Sequence, residues 1–499
     1  MFTARAVLTA TMLGGPVSGS LMIARNLMQI NRKKAAAISI FLGILSVPVL
    51  SAILLFTVNL PIPMGMAWRN EIDILFLGSA LLKLPVTVVF YFIMKPLPQG
   101  KINRASIWDT ARFTFIGFIT FPVSLGVLVN VTGTLFILSF YFSLYIYSRA
   151  KKAYQGKPAR IFFVFIFLIP FISFAPAMHE YNRTGPGSHV FLFLFYYSLV
   201  VMLYLFLFTL SIDVILLINR WFKFIPEALV KNKISGKLCV YAVIFSVGAL
   251  IVYGHYNAVN LRIQRYHIQV PKGQTKLKQL KIAAAADFHL SNLSSEHYVK
   301  NIVEKINSLD PDLVVIAGDI INKGSFAIDW KKYDADFRKI KSRYGVYAVI
   351  GNHDLRGDPG KSIDYLERCN IRLLRDKVVN IDHLFYLLGR DDKSEDQREP
   401  TEEIMKTVKN NLPIIMIEHR ISDMDALIDK GINVHISGHT HYGQLFPVNV
   451  LINLVYRVSW GYKRYGNTHF FVTCGVGTWG PLVRLGSFSE IMEINITFK

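Results

Sequence analysis

Cysteine is scarce in this chain: three in 499 residues, at positions 239, 369 and 474. No Cys-x-x-Cys pair occurs, so a thiolate metal site is excluded, and three thiols make no disulfide framework. A Cys369–Cys474 bridge stays open, with two unrelated free thiols the expected state. Acidic residues are nearly missing from the first half. Residues 1–256 hold 6 Asp and Glu against 22 Lys and Arg, while the remainder holds 28 against 33. The formal net charge of +21 is therefore mostly a bias of the first half rather than a nucleic-acid footprint, and no nucleic-acid partner is expected. Charge is sparse overall, at 18% against 52% hydrophobic residues, and the mean hydropathy of +0.36 is too high for an ordinary soluble protein.

Long apolar runs fill the first half. A helix needs roughly 20 apolar residues to cross a bilayer. Eight candidate spans follow, at about 6–24, 35–58, 74–95, 112–130, 133–148, 160–178, 189–218 and 237–254. No small-residue cleavage site follows "AVLTATMLGG", so the first is expected to be a span rather than a signal sequence. Every second loop is basic: "RNLMQINRKK", "KPLPQGKINR", "SRAKKAYQGKPAR" and "NRWFKFIPEALVKNKISGK". Lys and Arg near span ends favour the cytoplasm, so both termini are expected outside it. One span fewer would reverse this. Lys83 and Asp213 lie inside apolar runs. Intramembrane charge hints at function, but snorkelling or pairing with a neighbour is the favoured explanation.

The character changes near Tyr256. From Lys281 onward, apolar strand-like runs alternate with helical stretches, as in "KIAAAADFHL" before "SEHYVKNIVEKINSL". Later runs ("KVVNI", "LFYLLGR", "HFFVTCG", "IMEINITF") have no long helices between them and are expected to be antiparallel. The expected architecture is a multi-span helical membrane module, residues 1–256, followed by an α/β domain, residues 257–499, built as a two-sheet sandwich with flanking helices. Five apolar runs end in polar residues: Asp287 and His289; Asp319; Asn352 and His353; His419; His439 and His441. Sites in open α/β sheets form beyond the carboxyl ends of strands, so these groups point to one place. Carboxylates, imidazoles and an amide suit Mn, Fe or Zn, with ligands enough for two ions.

Together, Asp287-x-His289, Gly318-Asp319, Gly351-Asn352-His353-Asp354, His419 and Gly438-His439-Thr440-His441 resemble the calcineurin-like metallophosphoesterases in order and kind. The run "GVGTWGPLVRLG" resembles the bacterial membrane-anchored branch of that superfamily. The resemblance implies that Asp287, His289 and His441 hold one divalent metal, that Asp319 bridges two, and that Asn352, His419 and His439 hold the second. It implies that His353 contacts the phosphate and protonates the leaving oxygen, with Asp354 orienting it, and that a metal-activated hydroxide is the nucleophile. Departures are Phe288 and Ser291 in the first block, Glu418 and Arg420 beside His419, and Asn322 where Asp is frequent. Arg484 is expected to bind substrate, the alternative being a surface arginine near a turn. Trp479 is expected to pack a loop, the alternative being to line the pocket. His267, His297, His383, His435 and His469 are expected to be ordinary surface or core histidines.

The implied function is a membrane-anchored phosphoesterase acting on a phosphomonoester or phosphodiester. Its location points to a lipid-linked or cell-envelope substrate, in contact with membrane lipid, at a bacterial inner membrane with the domain extracytoplasmic. The alternatives are a transporter or membrane sensor with an accessory phosphoesterase domain, or a UDP-diacylglucosamine-type pyrophosphatase if the domain is cytoplasmic.

Overall fold

The computed structural model describes residues 142–143, 145–147, 149, 188–291, 294–322, 331–355, 359–395, 397–409, 411–421 and 424–499. The first four expected spans, most of the fifth, the sixth, and Lys83 lie outside them. The chain divides into two compact units. One holds residues 1–64, 68–174 and 197–247; the other holds residues 65–67, 175–196 and 248–499.

The first unit contains most of α1 (Ser188–Phe222), all of α2 (Glu227–Lys231) and the start of α3 (Lys233–Val259). Among the described residues, two stretches, Val190–Phe222 and Ile234–Val259, are long and apolar enough to cross a bilayer. They coincide with the two expected spans that fall on described residues. Asp213 in α1 is paired: its carboxylate lies 2.7 Å from Arg149 Nη2 and accepts from Tyr145 OH. A charge held this way packs helices.

The second unit is a sandwich of two six-stranded sheets. Its strands are β1 (Arg262–Val270), β2 (Gln279–Ala285), β3 (Leu313–Ala317), β4 (Val346–Val349), β5 (Arg372–Leu373), β6 (Lys377–Ile381), β7 (Phe385–Gly389), β8 (Ile414–Ile417), β9 (Val434–Ser437), β10 (Gly461–Tyr465), β11 (Thr468–Val472) and β12 (Glu490–Phe498). The first sheet runs β1-β12-β2-β3-β4-β5 and the second β10-β11-β9-β8-β7-β6. Side chains alternate across each strand, so both faces of the inner strands must be apolar. Ile282 and Ala284 of β2 pack into the core between the sheets with Leu387, Ile417 and Ile436. Ala283 and Ala285 face the opposite way, against α4 (Glu296–Ser308). That helix presents Val299, Ile302, Val303 and Ile306, spaced for one helical face. Helices α5 (Lys331–Phe337) and α6 (Pro359–Arg368) add Tyr333, Phe337, Tyr365 and Leu366 to the same layer. Helices α7 (Thr401–Met405) and α8 (Met424–Asp429) cover the second sheet through Ile404, Met424 and Leu427.

Of the runs expected to be antiparallel, β6 and β7 pair so, as do β12 and β2. Strand β11 pairs antiparallel with β10, but β7, β11 and β12 each also have a parallel neighbour, β8, β9 and β1. The chain returns between β9 and β11 through α9 (Val448–Val455) and β10, which restores the strand direction. Cys369 and Cys474 are both buried and free.

Candidate metal centre

Strands β2, β3 and β4 are parallel neighbours in one sheet, and β7, β8 and β9 in the other. Their carboxyl ends therefore share a rim. Asp287, Asp319, His419 and His439 each lie two residues past a strand end, and Asn352 three past. The backbone turns sharply there. Asp287, His289, Asp319, His439 and His441 all have positive φ, between 46° and 73°. Non-glycine residues seldom adopt that region, and several together mark a site whose geometry the surrounding fold imposes. Gly351 permits the closest approach: a Cβ there would fall 2.2 Å from Asp319 Oδ1.

Three groups of side chains place ligand atoms within 4.8 Å of one another: Asp287, His289 and His441; His289, Asp319 and His353; and Asp319, His419 and His439. His289 Nε2 and His441 Nε2 face each other at 2.9 Å. His441 Nε2 lies 3.5 Å from Asp287 Oδ1, and His419 Nε2 lies 3.2 Å from Asp319 Oδ2. The donor set fits divalent cations. Asn352 Oδ1 is shielded from solvent and has no hydrogen-bond partner, which a buried polar atom tolerates only when something else satisfies it. His419 Nδ1 bonds the carbonyl of Ala317 at 2.8 Å, fixing the tautomer that leaves Nε2 as the ligand atom.

Burial shapes the electrostatics. It pushes Asp287 up to about 7 and His289 down to about 3. It also holds His439 and His441 well below the ordinary range, aided by His419 and Arg420 for the first and by His289 and Arg484 for the second. Neutral imidazoles are the ligand form. Asp319 goes the other way. Burial opposes its charge, but His419, His353 and His289 around it win, and its carboxyl sits well below the usual range. For His419, burial is outweighed by Asp319, which raises it to about 10.

The stretch "GHTH" is not an extended strand with both imidazoles on one face. His439 and His441 have φ of 73° and 47°, and His441 opens a 3-10 turn. The kink sends them apart. His441 stacks on His289 with ring centroids 4.9 Å apart, while His439 meets His419 edge-on at 5.0 Å.

Asp354 does not hold His353. Its two oxygens accept from the backbone N–H groups of Ile321 and Gly351, both at 2.8 Å, so it ties the loops after β3 and β4 together. The partner of His353 Nδ1 is Asn322 Oδ1, at 2.9 Å. The signal for that role was the position itself, where Asn keeps the acceptor of the more frequent Asp.

Arg484 is neither a surface residue nor free to reach a substrate. It is fully buried. Its Nη2 donates to the carbonyls of Cys474 (2.6 Å), Gly475 (3.3 Å) and Gly477, and its Nη1 to Ser487 Oγ (2.8 Å) and the carbonyl of His441 (3.4 Å). It clamps the loop behind His441. Trp479 is 38% exposed, with its backbone fixed by the Gln444 side chain. His435 is a buried core histidine whose Nε2 lies 2.8 Å from Glu418 Oε1, while its Nδ1 has no hydrogen-bond partner. Arg420 turns from the site into a two-pronged pair with Asp392 at the end of β7. The run "LFYLLGRDD" carried the same strand-end signal as the five blocks.

Residues 280–443 match the calcineurin-like phosphoesterase family. A Helicobacter pylori protein named as a metallophosphoesterase is 28% identical over 228 residues, 44% of this chain and 61% of that protein. An Aquifex aeolicus metallophosphoesterase is 29% identical over 257 residues, 50% of this chain and 96% of the relative. A Danio rerio protein named as a transmembrane protein with a metallophosphoesterase domain is 28% identical over 277 residues, 52% and 63% of the two lengths. The chain thus spans less than two thirds of the Helicobacter and Danio relatives.

Proposed function

We propose that this chain, whose residues 280–443 form a calcineurin-like metallophosphoesterase domain, is a membrane-anchored hydrolase of a phosphomonoester or phosphodiester that works with two divalent cations. One observation supports the proposal: Asp319 belongs both to a ligand group with His289 and His353 and to one with His419 and His439, so a single carboxylate is within reach of both groups and could serve two cations. Asp287, His289 and His441 would hold one ion; Asn352, His419 and His439 the other. Such a pair supplies Lewis acidity at phosphorus and an activated water.

The chain's own residues do the rest. Asn322 Oδ1 accepts the Nδ1 proton of His353, which leaves Nε2 as the atom that delivers a proton to the leaving oxygen. Asp354 keeps that loop in place through two backbone N–H groups. Asp287 accepts from the backbone N–H of His439 and so fixes the turn that separates His439 from His441. Two apolar helices supply the membrane anchor, and the membrane location favours a phosphate held on a lipid or envelope polymer.

The full-length protein in detergent, titrated with Mn, Fe or Zn, tests this. Hydrolysis of a chromogenic mono- or diester is expected to require metal, and elemental analysis to find two ions per chain. Asp319→Asn should lower both metal content and rate, the rate by about a hundredfold or more. No hydrolysis with any of the three metals, or equal rates for the wild type and Asp319→Asn, would overturn the proposal.

A further inference from the structure

Helix α9 leaves much of its apolar surface exposed. Its sequence, "VNVLINLV", holds two polar residues, Asn449 and Asn453, four apart and hence on one face. Asn449 is half-buried and Asn453 exposed, and both are engaged by neighbouring loops. Asn453 Nδ2 donates to Tyr442 OH at 3.0 Å, and Ser459 Oγ donates to Asn453 Oδ1. Asn449 Oδ1 is shielded from solvent, and the residue lies against Gly443 and Gly486. Leu451 and Ile452 are half-buried, while Leu454 is 71% exposed and Val450 48%, with Val448 and Val455 exposed too. A helix on a water-facing surface buries such residues. Phe446, just before α9, and Trp479, bracketed by Gln444, are exposed as well.

The same corner of this unit meets the ends of both apolar helices. Arg484 N donates to Gly254 O of α3 at 2.8 Å, and Ser489 Oγ to Ala258 O at 2.7 Å. A Cβ on Gly254 would fall 2.6 Å from Val483 Cγ1, so α3 is seated directly on this segment. Gly480, next to Trp479, lies against the Tyr196 ring of α1. Val252, Tyr253, Tyr256 and Val259 of α3 are exposed beside it. The apolar surface of the candidate span therefore runs on through the 479–489 segment to α9. Tyr, Trp and Phe at such a level are the side chains that suit the bilayer boundary.

We propose that α9, Phe446 and Trp479 are seated in the headgroup–acyl boundary of a lipid bilayer, an interfacial helix that holds the rim of the metal centre at the membrane surface. The helix starts seven residues past His441, so phosphate at headgroup level is brought to the ligand cluster. This rests on the membrane-anchored reading above, and its test separates the two.

The full-length chain, in a Cys239→Ser background, is placed in nanodiscs of phosphatidylcholine and phosphatidylglycerol. Nitroxide labels are attached through Val450→Cys, Leu454→Cys, Lys463→Cys and Phe245→Cys, and their access to oxygen and to a water-soluble nickel complex is measured. Labels at 450 and 454 are expected to favour oxygen over nickel several-fold relative to 463. Nickel access at 450 and 454 equal to that at 463 overturns the docking, as does shielding from both reagents, which marks a protein partner instead. Position 245 reports the anchor: oxygen preference there with nickel access at 450 and 454 sinks the docking alone. Nickel access at 245 as well means that α3 is not in the bilayer and the anchor reading itself fails.

Discussion

His353 meets an amide, not a carboxylate, at its Nδ1 atom. An amide oxygen orients the ring as a carboxylate would but adds no charge to favour the imidazolium. Two substitutions separate orientation from charge. Asn322→Ala removes the acceptor and should lower kcat by about ten- to a hundredfold with little change in KM. Asn322→Asp keeps the acceptor and places a negative charge against the ring. Opposite charge favours the protonated form, so the alkaline limb of the rate profile should move up by about one pH unit. Asp354→Asn, which removes a negative charge, would move that limb down only if Asp354 faced His353; its oxygens accept backbone N–H groups instead, so loss of stability is its expected phenotype. If Asn322→Ala leaves kcat unchanged, His353 is not held through Nδ1.

The loops beyond the strand ends are the elements that the site depends on, and two arginines brace them. Arg484 gathers carbonyls from Cys474, Gly475, Gly477 and His441. Arg484→Met would orphan several of these inside the fold and should cost about 3 kcal/mol or more. A thermal melt decides the role: a clamp lowers Tm, whereas a substrate ligand raises KM and leaves Tm alone. Arg420 binds the loop after β8 to Asp392 after β7. Burial opposes the Asp392 charge, but the Arg420 guanidinium wins and holds the carboxyl down at about 2. A carboxyl depressed in the folded state adds stability above its unfolded value, and that stability disappears as pH falls through the folded value. About 2 kcal/mol should therefore be lost between roughly pH 4 and 2. Urea midpoints across that window should fall for the wild type and lack this component in Asp392→Asn. The strand ends were legible in the sequence because parallel strands bring their carboxyl termini to one rim, so apolar runs ending in Asp, Asn or His announced the site. The role of Arg484 was not, because a Gly-rich run has no periodicity to show which side chains turn inward. Nor was the kink that separates His439 from His441, whose assignment to different metals came only with the family resemblance, since left-handed backbone at Asp and His leaves no mark in the residue pattern.

Whole-molecule orientation can be argued from the described residues alone. The segment joining α1 to α3 carries Arg220, Lys223, Lys231, Lys233 and Lys237 against a single acid, Glu227. Basic residues between two spans favour the cytoplasm, so α3 would leave the bilayer on the far side and deliver the hydrolase domain there. The count past α3 competes, with Arg262, Arg265, Lys272, Lys276 and Lys278 close behind the span. Those charges belong to a folded domain: Arg262 bonds Asn257 in α3, and Arg265 pairs with Glu493 in β12. Large domains cross largely regardless of their charge, whereas short loops obey it, so the short connection should decide. Two probes read this independently of the spans before α1. In a Cys239→Ser background, Lys223→Cys should be shielded from a membrane-impermeant maleimide in intact cells, while Lys463→Cys reacts. A C-terminal alkaline phosphatase fusion should be active, since that reporter folds only outside the cytoplasm. The opposite pair of results would place the domain on the cytoplasmic side. A cytoplasmic nucleotide-linked lipid would then replace an envelope phosphate as the substrate class to screen.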